Sequence, residues 1–169
     1  MKRSVTATLS LTEIFDNLSS AQLELIAALC EPMVLRRGQV LFRENEGSDD
    51  LYVIVRGAIE VLMNPGVITS QPEQEPVALT GLRPGQVFGE IALVDQGVRS
   101  ATIRASEDNT ELLCIPRDRL MRLCDTYPEL GYKIMRNLAA DLALKIRNTG
   151  LTIRQYQLLL SGQQKPPAR

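Results

Sequence analysis

Between Met33 and Ile115 the apolar residues come in short runs, and glycines stand between the first of them. Val34 to Arg36, Val40 to Arg43, Leu51 to Val55 and Ala58 to Met63 are separated by Gly38, Gly47 and Gly57. Runs this short, joined by glycine turns, are the pattern of a small β-barrel with tight corners. The stretch Asn64 to Pro76 carries Pro65-Gly66 and reads as a long exposed hairpin loop. Strands resume at Val77 to Leu82, Val87-Phe88, Ala101 to Ala105 and Glu111 to Ile115.

Helical patterns flank this region. Ser19 and Gln22 have the spacing of a capping box, with Leu18 and Leu23 placed as its staple. Leu23, Ile26, Ala27 and Cys30 then share one helical face until Pro32. After Ile115-Pro116, Leu120, Met121, Leu123 and Cys124 mark a short helix ending near Tyr127-Pro128. Glu129 opens a longer one, with an apolar row Leu130, Ile134, Leu138, Leu142 and Ile146. Its polar row is Lys133, Asn137, Asp141 and Lys145, and Gly150 supplies a stop. Residues 1–10 read as a flexible polar leader, 11–147 as one mainly β domain with flanking helices, and 148–169 as a short helical extension with a disordered tail.

Composition narrows the chemistry. A chain of 169 residues has room for one real core. A formal charge of −1 gives no field to recruit DNA or an anionic membrane. No apolar run is long enough to span a bilayer and no signal-peptide core follows Lys2-Arg3, so the expectation is a cytoplasmic protein. Histidine is absent, which removes the commonest general base and metal ligand. Cys30, Cys114 and Cys124 lie apart among apolar neighbours, as buried thiols do, and lack metal-ligand spacing. No nucleophile–base pair or metal cluster is in sight, so an enzyme is not expected.

The stretch from Phe88 to Thr102 holds the richest chemistry. Gly89 lets the backbone approach a ligand closely. The amides opening a helical turn at Glu90, Ile91 and Ala92 suit an anion. Arg99, nine residues after Glu90, can grip a phosphate with two parallel hydrogen bonds. Glu90 suits a neighbouring sugar hydroxyl. Together they describe a small phosphorylated sugar that is held and not cut. The alternative from the residues alone is a structural Glu90–Arg99 ion pair in an empty pocket.

The order Phe88-Gly89-Glu90-Ile91-Ala92-Leu93, five residues, then Arg99-Ser100-Ala101-Thr102 resembles the phosphate-binding cassette of cyclic-nucleotide-binding domains. Gly38, Phe42, Gly47, Leu51 to Ile54, Gly57 and Pro84-Gly85 also sit where that family places its turns and strands. The resemblance covers roughly residues 11 to 147. It implies a jelly-roll barrel that binds cAMP or cGMP and needs no cofactor. It implies that Arg99 meets the cyclic phosphate with the amides of Ile91-Ala92 and Ser100-Ala101. Glu90 would accept from the ribose 2′-hydroxyl beside Gly89. Lys145 and Ile146 stand where transcription-factor relatives offer adenine-reading hydroxyls, so adenine selectivity is in question; Lys145 is a candidate for a base carbonyl, but a solvated helix lysine is the safer reading. With 19 residues after Gly150, no helix-turn-helix is expected, and the output would act in trans on an effector protein. The Leu130–Ile146 row is a candidate homodimer face. An interaction module with a vestigial pocket, or a binder of a cyclic dinucleotide, is the competing reading.

Overall fold

A computed structural model describes residues 4–64, 76–95 and 97–163, apart from the side chains of Tyr156 and residues 159–163. Its strands are β1 (Glu31–Leu35), β2 (Val40–Phe42), β3 (Leu51–Arg56), β4 (Ile59–Met63), β5 (Val77–Leu82), β6 (Val87–Phe88), β7 (Thr102–Ala105) and β8 (Thr110–Ile115). They form two antiparallel four-stranded sheets, ordered β1-β8-β3-β6 and β2-β7-β4-β5. The helices are α1 (Val5–Leu9), α2 (Ser20–Ala27), α3 (Glu90–Asp95), α4 (Arg117–Thr126) and α5 (Pro128–Gln163), with a 3-10 turn at Glu13–Phe15. The fold is of jelly-roll type, mainly β with flanking helices, and the two sheets face each other rather than closing into one barrel. Among the described residues no helix is long and apolar enough to cross a membrane.

β3 explains the layering. Leu51, Tyr52, Val53 and Ile54 are all buried, yet they alternate in direction as a strand must. Leu51 and Val53 face the helices and join a cluster with Ile26, Leu120, Leu130, Ile134 and Leu138. Tyr52 and Ile54 face the second sheet and pack with Phe42, Ile59, Phe88 and Ile103. The β3 sheet is therefore a middle layer, between the helices and the other sheet. β4 and β5 pair from Ile59↔Leu82 to Met63↔Val77. The expected hairpin loop between them lies, over 65–75, outside the described residues.

Local chemistry sets the boundaries. Ser19 and Gln22 do form the capping box that opens α2. Pro32 lies in β1, an edge strand, where its missing N–H is tolerated. Pro128 is the first residue of α5, the position where proline suits a helix. A Cβ on Gly131 would stand 2.9 Å from the Cβ of Cys124, so this glycine lets α4 and α5 cross closely. The cysteines are free thiols, and burial pushes those of Cys30 and Cys114 up to about 12 and about 11.

Three expectations change. The leader is not loose throughout: Ser4 caps α1, and Leu9 is fully buried in the core. Gly150 does not stop the long helix, which continues to Gln163. An exposed interior glycine weakens a helix by only about 1 kcal/mol relative to alanine. The hydroxyls of Thr149 and Thr152 also donate back to the Lys145 and Asn148 carbonyls on either side. Finally, Leu130, Ile134 and Leu138 are 0, 0 and 1% exposed within their own chain. The first three members of the expected homodimer row are core residues of this fold, and only the distal end, with Ile146 at 73% exposure, is open.

The polar row of α5 is a seam and not a solvated face. Lys133 reaches Gln22, and Asn137 donates to the carbonyls of Ile14 and Asp16. Asp141 and Lys145 continue it toward β6 and α3. Spaced four apart, these residues lie along one side of the helix and strap it to the N-terminal segment and the β6–α3 corner.

Candidate functional site

The site is built where β6 turns into α3. Gly89 makes that turn at φ +85°, which L side chains rarely adopt. A Cβ there would stand 2.6 Å from the Asp50 carbonyl and 2.7 Å from Arg99 Nη1. Leu93 N–H donates to the Gly89 carbonyl and closes the first turn of α3. The amides of Glu90, Ile91 and Ala92 therefore precede the first intrahelical bond. Ile91 is 42% exposed, while Ala92 is buried against the core. Ser100 is exposed and Ala101 half-buried, just before β7.

Arg99 is the most unusual side chain in the protein. It is only 2% exposed and carries no ion pair within 4 Å among the described residues. Its Nε donates to Ser48 Oγ at 2.7 Å. Both Nη1 and Nη2 donate to the Asp50 carbonyl at 3.0 Å, and Nη1 also reaches the Gly89 carbonyl at 3.4 Å. The guanidinium lies 4.1 Å from the centre of the Phe42 ring and 5.6 Å from that of Tyr52. Burial pushes its pKa below the ordinary arginine value, opposed by Tyr52, Asp50, Asp49 and Cys114. Arginine nonetheless keeps its proton in proteins. The result is a buried permanent cation held by neutral acceptors and aromatic faces.

The backbone around Arg99 is clasped by the loop after β2. Arg99 N–H donates to the Glu46 carbonyl at 2.9 Å, and Asn45 N–H donates to the Arg99 carbonyl at 2.8 Å. Asn45 itself adopts φ +68°, a conformation asparagine tolerates. Residues 43–50 thus form the second wall of the site.

Glu90 is buried too, with a side chain 9% exposed, and it does not pair with Arg99. Its Oε1 accepts from Lys145 Nζ at 2.9 Å. Lys145 also donates to the Val87 carbonyl at 3.4 Å and lies 2.8 Å from Asp141 Oδ2. Burial works against the Lys145 ammonium, but Glu90 and Asp141 outweigh it and hold its pKa above the ordinary value. The structural Glu90–Arg99 ion pair considered from the sequence is therefore not formed.

Sequence reasoning named the cassette residues, and the structure places Gly89 against Arg99 and Glu90 at the opening of α3. It did not assign Phe42, Ser48, Asp50 and Tyr52 to the wall around Arg99. The usable signal was the polar run Glu46-Gly47-Ser48-Asp49-Asp50 directly before the buried β3. It read Lys145 as a solvated helix lysine, with a base carbonyl as the other reading, whereas Lys145 is spent on Glu90, Asp141 and Val87.

The cyclic nucleotide-binding domain family matches residues 32–127, more than half of the chain. The protein belongs to that family. A cyclic AMP receptor protein of Thermus thermophilus is 29% identical over 140 residues, spanning 83% of this chain and 60% of that protein. The human cGMP-dependent protein kinase 2 is 27% identical over 129 residues, spanning 76% of this chain and 16% of the kinase. The crystal structure of Thermus thermophilus catabolite activator protein superposes with a TM-score of 0.71 at 27% identity, covering 86% of this chain and 63% of the other. The chain thus spans under two thirds of these relatives. What they share with it is the cyclic nucleotide-binding domain, a regulatory binding domain and not a catalytic one.

Proposed function

We propose that this domain reversibly binds a cyclic nucleoside monophosphate, cAMP or cGMP, without turnover. Arg99 takes the cyclic phosphate, supported by the amides of Ile91, Ala92, Ser100 and Ala101. Glu90 accepts from the ribose 2′-hydroxyl, with the Gly89 backbone alongside. The domain then serves as a cytoplasmic sensor or regulatory subunit that acts on an effector protein. The family membership supports the ligand class. The names of the two relatives, a cyclic AMP receptor and a cGMP-dependent kinase, support each base in turn.

One observation carries the reading. A buried cation without a directly paired charge is disfavoured unless something compensates it; Arg99 is 2% exposed, its hydrogen bonds all go to neutral acceptors, and the Asp49 and Asp50 carboxylates act on it only from beyond 4 Å. An incoming phosphate supplies the missing charge. Calorimetric titration of the purified protein with cAMP, cGMP and a cyclic dinucleotide tests it. Saturable binding of a cyclic mononucleotide is expected, and heat only from the dinucleotide would reassign the ligand.

A second reading has one observation in its favour. Arg99 spends four hydrogen bonds on its own chain, out of five N–H donors. A pocket closed in this way fits an interaction module that no longer binds nucleotide. Silence in all three titrations would favour it.

A further inference from the structure

Among the described residues, the only partner of the Glu90 carboxylate lies on a different element, fifty-five residues away, on the long C-terminal helix. We propose that Lys145 of α5 is a positioning residue for Glu90, holding one carboxylate oxygen so that the other is aimed at the ribose hydroxyl. This rests on the reading of Glu90 as the ribose acceptor.

The geometry divides the two carboxylate oxygens. Oε1 is taken by Lys145 Nζ at 2.9 Å, and Oε2 has no partner recorded among the described residues. Oε2 is therefore the oxygen left to accept from a sugar hydroxyl. Lys145 also donates to the carbonyl of Val87, three residues before Glu90. One ammonium thus grips both ends of the Val87–Glu90 turn that contains Gly89. Removing it would leave a side chain only 9% exposed with an uncompensated charge, which is strongly destabilising for a buried carboxylate. Glu90 would then turn toward water or another donor and lose its aim.

Lys145 is itself fixed. Asp141, one turn earlier on α5, places Oδ2 2.8 Å from Nζ. That oxygen is sealed from solvent and has no hydrogen-bonding partner, so it relies on the Lys145 charge. The row continues back through Asn137, which ties α5 to the carbonyls of Ile14 and Asp16. Lys145 is the end of a seam and not a loose surface lysine.

The test compares a cyclic nucleotide with its 2′-deoxy analogue on wild type, E90Q, K145M and K145R. A hydrogen bond to a charged acceptor should let wild type prefer the ribose ligand by about 10- to 150-fold. E90Q should lose that preference. K145M should reduce it to about threefold or less, and K145R should restore most of it. Circular dichroism checks the fold of each variant. If K145M unfolds because Asp141 is orphaned, D141N/K145M removes that charge and replaces it in the comparison. A K145M protein that keeps the full ribose preference, or weakens both ligands equally, overturns the positioning role. Retained preference in E90Q refutes Glu90 as the acceptor and the role of Lys145 with it. A wild type that binds neither ligand refutes the binding reading itself.

Discussion

The main-chain carbonyl of Asp50 accepts two hydrogen bonds from Arg99, both at 3.0 Å. The carboxylate of the same Asp50 accepts from the backbone N–H of Arg117, the first residue of α4, at 3.3 Å. Arg117 in turn donates from Nε to the Leu93 carbonyl near the end of α3. One residue just before β3 therefore joins the buried cation to the helix that leads into α5. A ligand that draws Arg99 away from Asp50 acts on the same short segment that anchors α4.

Arg99→Ala should abolish binding of an anionic ligand and also loosen the fold. The lost charge-assisted bond is worth roughly 1.5–3 kcal/mol, or about 10- to 150-fold in affinity. Truncation also leaves the Asp50 and Gly89 carbonyls short of a donor and removes the cation from the Phe42 ring. A stability loss of about 1–3 kcal/mol is expected in urea denaturation. Arg99→Lys, which keeps the charge but not the fork, should fall between. Wild-type affinity in Arg99→Ala would refute the phosphate assignment.

Gly89→Ala should damage the site more than its one added methyl group suggests. Its φ of +85° costs a non-glycine residue about 1 kcal/mol or more, and the new Cβ would press on the Asp50 carbonyl and Arg99 Nη1. Neither neighbour has room to yield, since each holds the other. Denaturation midpoints and ligand affinity should both drop. An unchanged midpoint would mean the β6–α3 turn is softer than it looks.

Much of the fold was legible because it follows from local chemistry. The capping box at Ser19 and Gln22 and the strands β3 to β8 rest on residues close in sequence, and they appear within a residue or two of their expected ends. What stayed hidden depends on which surfaces meet. Leu130, Ile134 and Leu138 form an apolar stripe that is the same whether it covers its own chain or a second copy. Only the packing of α5 against Leu51, Val53 and Ile26 decides. Likewise Lys145 reads as a solvated helix lysine until Glu90, on another element, is found beside it. The Arg99 cage was hidden for a related reason: its acceptors at Asp50 and Gly89 are backbone carbonyls, which no side-chain pattern announces.

That packing gives a sharp contrast along α5. Leu138→Ala should cost about 2–5 kcal/mol, as expected for truncating a fully buried leucine. Ile146→Ala, at a position 73% exposed, should stay within about 0.5 kcal/mol. Urea denaturation of both variants measures this. Equal, small effects would mean the helix does not dock on its own chain, and would return the row to the role of an interface between copies.

The last expectation concerns the base. An ammonium has three N–H donors; Lys145 donates to Glu90 and the Val87 carbonyl, and its charge is held 2.8 Å from Asp141 Oδ2. Ile146, the neighbouring position, is largely exposed and offers no hydrogen bond. The α5 helix therefore presents no free polar group from these two positions to read a purine edge. Without a site built to hydrogen-bond one base, the other is not rejected strongly, because contact with apolar walls discriminates only weakly. The protein should prefer cAMP over cGMP, or the reverse, by about tenfold or less. Competition titrations with the two nucleotides at one ionic strength measure the ratio. A hundredfold preference would require a base-reading group elsewhere, and repeating the titration with K145M would show whether Lys145 leaves Glu90 to provide it.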